Sequence, residues 1–241
     1  MTLSTYLGII TIVALLCASA VPTPAKANLT VDTLLVDMAD PAQSRRDLTL
    51  ANTGSEKLYV QVDVEEMVAT DEGRNARTGS PDELGLLVTP NRLILEPGQR
   101  RAVRAVVLDR PVDRERVFRI TMKPVVGDLL VDEPTAQAGT SAMIKVLVGY
   151  QAYLFVRPAR IEEDLVATRE GRRLQFRNAG NVSLLLDSGR QCADPAMPRD
   201  DCDPLPSRRI YPGQAWSVEL PNDNRAQYTV DAPSGRIFRD F

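Results

Sequence analysis

From Leu29 onward the apolar residues recur at every second position in short runs broken by turn residues such as Gly, Pro and Asn. A period of two is that of a strand with one face buried. Leu48–Asn52 alternates and ends in Asn52-Thr-Gly54; Leu58–Val64 alternates again. Leu86–Pro90, Asn91–Leu95, Arg101–Val107 and Val117–Met122 read as further strands, with a turn at Glu96-Pro-Gly98. The polar segment from Thr70 to Gly85 reads as a loop with little core. Beyond Pro158 the same text resumes with Leu165–Ala167, Arg173–Arg177, Val182–Leu186, Arg209–Tyr211, Ala215–Leu220 and Gln227–Asp231. No stretch carries a helical period. The fold class predicted is all-β, two immunoglobulin-like β-sandwich domains over residues 28–157 and 158–241 joined at Arg157-Pro158. The two halves also rhyme: each has an Asn-x-Gly turn, at 52–54 and 178–180, and a later Pro-Gly, at 97–98 and 212–213.

Ser141 to Arg157 is a long stretch with β-branched residues, stopped abruptly at the Arg157-Pro158 step. It predicts one long strand. In its first half Ile144, Val146 and Val148 share a face, and Lys145 and Leu147 take the other. Such a row either fills its own core or is lent to another protein. The connection before it, 124–141, is longer than a hairpin needs. Its Leu129, Leu130 and Val131 belong either to a mobile loop or to an extension of a binding surface.

Composition narrows the setting. Residues 1–27 hold an uncharged apolar run, Tyr6 to Ala20, and end in Ala25-Lys-Ala27, the small-x-small form of a secretory cleavage site, so a signal peptide over 1–27 is expected. Beyond it lie two cysteines, Cys192 and Cys202, which in an exported chain favour a disulfide closing a short loop. A cysteine pair in a chain without histidine does not complete an ordinary zinc site, so no metal is expected. The 29 basic and 32 acidic residues leave a net charge of −3, which speaks against nucleic acid as partner. The absence of histidine removes the commonest general acid or base. No glycine-rich phosphate loop, G-x-S-x-G elbow or S-x-x-K takes its place. Glu162-Glu-Asp164 and Asp200–Asp203 read as solvated loops. A binding protein without a cofactor is expected rather than an enzyme.

Three motifs carry a more specific reading. They are Val88-Thr-Pro-Asn-Arg-Leu-Ile-Leu-Glu-Pro-Gly-Gln99 with its continuation to Arg104, then Asp113-Arg-Glu115-Arg-Val-Phe-Arg-Ile120, then Tyr153-Leu-Phe-Val-Arg157-Pro158. In order and spacing they resemble the periplasmic, PapD-like chaperones of the chaperone–usher fimbrial pathway, across roughly the whole chain after residue 27. The resemblance implies two immunoglobulin-like domains in an L or boomerang arrangement. It implies a periplasmic chaperone that binds fimbrial or pilus subunits by lending them a strand and delivers them to an outer-membrane usher. By this resemblance Ile144, Val146 and Val148 are the donor residues, and Glu115, Arg157 and Asp231 form an interdomain salt-bridge cluster. The exposed donor edge also offers a route to self-association of the free chain.

One position departs from the family. Typical members anchor the subunit's C-terminal carboxylate with an Arg on the first strand and a Lys on the donor strand. Here the Lys position holds Tyr153, and the first strand, Leu29–Val36, contains no Arg. A phenol donates one hydrogen bond but carries no charge at neutral pH. Either the chain is a divergent member that anchors its subunit through Tyr153, Tyr150 or Lys145, or the fold serves another periplasmic binding role. A reading from another class is a structural fimbrial component or adhesin-like sandwich protein.

Overall fold

The computed structural model describes residues 28–70, 73–125, 146–194, 198 and 201–241. The first part runs β1 (Leu29–Val31), β2 (Leu35–Met38), β3 (Arg45–Asn52), β4 (Leu58–Thr70), β5 (Gly73–Arg77), a one-turn helix α1 (Pro81–Leu84), β6 (Leu86–Thr89), β7 (Arg92–Leu95), β8 (Arg100–Val107), β9 (Arg116–Val125) and β10 (Tyr150–Val156). One sheet has the order β1-β3-β8-β6; the other has β2-β10-β9-β4-β5, with β7 also on β4. The alternating faces of the two sheets meet in one core that includes Leu48, Leu50, Val103, Phe118, Ile120 and Leu154.

The second part comprises β11 (Leu165–Glu170), β12 (Arg173–Asn178), β13 (Leu184–Gln191), β14 (Asp203–Pro204), β15 (Arg208–Ile210), β16 (Ala215–Glu219), β17 (Ala226–Ala232) and β18 (Gly235–Asp240). A sheet of order β11-β12-β16 faces one of order β14-β13-β17-β18, with β15 also on β13. Its core is separate and centres on Phe176 and Tyr228, whose rings meet edge to face at 5.5 Å. A disulfide joins Cys192 and Cys202.

Three expectations change here. Leu29–Val36 is not one strand: Asp32 accepts the Thr49 N–H at 3.0 Å, and the chain then crosses from the β3 edge to the β10 edge. Thr70–Gly85 is not a loop, since β4 runs on to Thr70, turns back as β5, and is followed by α1. The helix is too short to show a period, but its ends are specified. Ser80 and Glu83 form a capping box, Pro81 occupies the first turn, and Gly85 at φ 62° closes it. Of the predicted strand from 141, the described residues form a strand over Tyr150–Val156 and none over 146–149. Residues 126–145, which include Leu129, Leu130, Val131, Ile144 and Lys145, lie outside the described residues.

The rhyme between the halves is a shared hydrogen-bonding device. Asn52 and Asn178 are buried, and each side chain accepts from the glycine two residues on, at 2.9 and 3.0 Å. Each donates to the carbonyl four residues on, Glu56 or Val182, and to the carbonyl before the later Pro-Gly turn, Leu95 or Ile210. The backbones close the same circuit, with Gly98 N–H donating to Asn52 O and Gly213 N–H to Asn178 O, both at 2.9 Å. In both turns the following glutamine side chain, Gln99 or Gln214, accepts the N–H of the residue before the proline. Only glycine suits the left-handed third position, at φ 76° and 84°.

Replacing Asn178 with alanine strands two buried carbonyls and one N–H, so the second sandwich should lose about 2–4 kcal/mol. Urea denaturation of the variant beside wild type measures this; an unchanged midpoint would show that the asparagine is not the fastener.

Candidate functional site

At the end of β10 the chain enters Arg157 and Pro158, both buried. The Arg157 guanidinium donates from Nε and Nη2 to the Asp37 carboxylate, at 3.0 and 2.9 Å to Oδ1 and Oδ2, and from Nη1 to Glu115 Oε2. Burial works against its charge, and the carboxylates of Asp37 and Glu115 more than offset this, holding the group above the ordinary arginine range. Glu115 is buried, and its Oε2 also accepts the backbone N–H of Ser183 at 3.0 Å, so this carboxylate reaches the second sandwich.

The expected third member is corrected. Asp231 pairs with Arg236 at 3.1 Å, its cross-strand neighbour in the β17–β18 hairpin. Its place beside Arg157 is taken by Asp37, because parallel pairing sets Asp37 of β2 opposite Phe155 of β10. A lone carboxylate between apolar residues in Leu35-Val36-Asp37-Met38 was the available signal.

Two further contacts join the sandwiches. Gln214 donates from its side-chain amide to Thr70 O and Gly73 O, both at 2.6 Å. Arg74, on β5, donates to the Tyr211 hydroxyl at 2.7 Å. Between these contacts Val117, Phe155 and Tyr211 form a small buried cluster against which Tyr153 packs. Burial raises the Tyr211 phenol above its ordinary pKa although Arg74 opposes the rise.

Tyr153 and Tyr150 do not share a pocket. A separation of three along a strand puts them on opposite faces. Tyr150 packs against the first core, whereas Tyr153 faces the cleft between the sandwiches. The cleft has a volume of about 460 Å³ and is lined by Arg74, Arg119, Tyr153, Arg208, Arg209 and Tyr211 among others. No arginine of this set was singled out from sequence, because they lie on β5, β9 and β15, far apart in the chain.

The segment entering β10 is open. Val146 is 76% exposed and Val148 42%, and neither belongs to a strand. β9 covers one edge of β10 along its whole length, but β2 covers the other only from Tyr153 to Val156. Among the described residues, Tyr150–Ala152 thus present one unpaired backbone edge. Gly149 sits close to β9: an added Cβ would lie 3.2 Å from Met122 O.

Two sandwiches joined through a buried ion pair, with a strand edge left open beside the junction, make a two-domain β-sandwich protein. Residues 28–162 match the family of pili and flagellar-assembly chaperones, PapD N-terminal domain, and the chain belongs to that family. Among solved structures it is similar in fold to the class 5 fimbriae chaperone CfaA, at 17% identity over 88% of this chain and 98% of that one, with a TM-score of 0.64. It is similar to the E. coli chaperone DraB, at 21% identity over 88% and 96%, TM-score 0.56. A chain of the Salmonella enterica SafA pilin–SafB chaperone complex matches at 16% identity over 91% and 98%, TM-score 0.58. No curated protein sequence matches.

Glu115→Ala leaves Arg157 buried beside one half-exposed carboxylate and should cost about 3–5 kcal/mol. Asp231→Ala removes a surface pair and should cost less than about 0.5 kcal/mol. Urea midpoints measured side by side decide between Asp37 and Asp231: if Asp231→Ala destabilised more than Asp37→Ala, the assignment of Asp37 would be wrong.

Proposed function

We propose that this chain is a periplasmic chaperone that binds fimbrial subunits by lending them the strand that includes Val146 and Val148, and that passes them to an outer-membrane usher. The observation that carries the reading is the pair of exposed valines leading into a strand whose edge is unpaired at Tyr150–Ala152. Apolar side chains at alternate positions beside free N–H and C=O groups are what an incomplete sandwich needs to close its core. Ile144 continues the same row by sequence and belongs to the proposed donor set.

The energetics suit a carrier. Covering these side chains contributes several kcal/mol at about 25 cal/mol per Å² of apolar area, before ordering costs. Val146–Gly149 belong to no strand, so lending these residues breaks no β-ladder. Binding of this kind uses no nucleotide and no covalent step, and no catalytic role is assigned to any residue. Residues 1–27 act as the export signal in this reading. The same edge, left unoccupied, would favour association between free copies.

Replacing Val146 with aspartate places a carboxylate in the subunit groove. Coexpression with a fimbrial subunit encoded nearby, followed by affinity purification and size exclusion, should give a one-to-one complex for wild type and none for the variant. The variant's own melting temperature should stay within about 2 °C of wild type, since an exposed residue changes stability little. A complex that survives the substitution would rule out strand donation at this face.

A further inference from the structure

In the second sandwich β18 is an edge strand, paired with β17 on one side. Which of its backbone groups face outward follows from the ladder. Ala226 and Phe241 exchange both of their hydrogen bonds, at 2.9 and 2.8 Å, and in an antiparallel pair such exchanges recur at every second residue. Arg239, Ile237 and Gly235 therefore turn their N–H and C=O groups to β17. Asp240, Phe238 and Arg236 turn theirs to the outer side, where no strand lies among the described residues. The side chains are open as well: Ile237 is 55% exposed and Phe238 44%, with the Arg190 guanidinium 5.6 Å over the Phe238 ring. Arg236 donates from Nε to Asp231 at 3.1 Å, and Asp240 forms no ion pair among the described residues.

We propose that the outer edge of β18 docks the β18 of a second copy of this chain, antiparallel, with Phe238 opposite Phe238. Like strand against like strand about a two-fold axis is a self-complementary contact that closes a dimer. In this register the outward N–H and C=O groups of Arg236, Phe238 and Asp240 in each copy all meet partners in the other. The side chains agree with the backbone. Arg236 of each copy comes opposite Asp240 of the other, so two pairs of opposite charge flank the axis and two phenylalanines meet across it. Centring the pairing on Ile237 or Arg239 instead sets Arg236 or Asp240 against Phe238, and centring it on Arg236 or Asp240 brings like charges together. Charges on an edge strand ordinarily keep other edges away, but here their placement favours one register. On the opposite face Ile237 meets the stem of Arg239, whose guanidinium is held 5.1 Å over its own Phe241 ring. A single strand pair buries less than the about 1,200 Å² of a stable complex, so the dimer is reversible and forms at high chain concentration. It engages only the second sandwich and leaves Tyr150–Ala152 of both copies open. The contact is therefore distinct from association through the donor edge and does not depend on strand donation.

Sedimentation equilibrium of the chain purified from a periplasm tests this, and wild type should show a monomer–dimer equilibrium. Asp240→Arg sets arginine against arginine on both sides of the axis and should weaken the dimer about tenfold, the worth of two exposed charge pairs inverted. Arg236→Asp should do the same. Mixing these two variants should restore a mixed dimer, because each brings the charge that the other lacks. Phe238→Pro removes an outward N–H but no bond to β17, so circular dichroism should report a retained fold while the dimer is lost. Val146→Asp should dimerise as wild type does. A chain that stays monomeric up to about 1 mM, or an association that persists in folded Asp240→Arg and Phe238→Pro, would overturn the proposal. Association lost in Val146→Asp but kept in Phe238→Pro would also overturn it and assign the contact to the donor edge. Weakening in both charge variants without recovery on mixing would refute the pairing of Arg236 with Asp240.

Discussion

A charged guanidinium taken out of water is tolerable only where carboxylates meet it, and Arg157 is placed where three segments must agree for that to happen. β10 delivers the arginine, β2 must lie parallel to β10 to bring Asp37 alongside, and the chain before β9 must bring Glu115 beneath it. Because Glu115 also accepts from the Ser183 N–H, the same carboxylate fixes where the second sandwich begins. The cleft, the open edge and the exposed valines all take their positions from this junction. Exchanging any of its three charged groups disturbs them together.

The residues that hold the sandwiches together were largely visible in sequence, because they obey local rules. Alternation marked β3, the first half of β4, β8 and β12; the Asn-x-Gly turns marked the ends of β3 and β12, and the first Pro-Gly the start of β8. Length was less visible. β4 continues through Glu65-Glu66 because Arg119 pairs with the first glutamate and Arg77 and Arg116 with the second, partners that a linear pattern does not reveal. α1 escaped notice for the opposite reason: its signal is a four-residue cap with no repeat behind it.

The site was legible only in part. A strand-like row containing Val146 and Val148 could be picked out by period, but its free state could not, since exposure depends on where β2 begins to pair with β10. Tyr153 and Tyr150 looked equivalent in sequence, and the two-residue period of β10 separates them onto opposite faces. The arginines of the cleft were invisible because they come from three strands far apart in the chain, β5, β9 and β15, and the packing of the second sandwich against β5 brings them together.

Gln214 offers a last comparison. Its counterpart Gln99 uses its side-chain oxygen to close a turn and leaves that turn at the surface. Gln214 closes the same turn with the same oxygen, while its amide nitrogen reaches across to the carbonyls of Thr70 and Gly73. An amide has two ends, and a repeated motif occupies only one of them. At this contact the join between the sandwiches draws on no residue beyond those the turn module already carries: the spare end of one amide adds to the attitude that Arg157 and Glu115 fix.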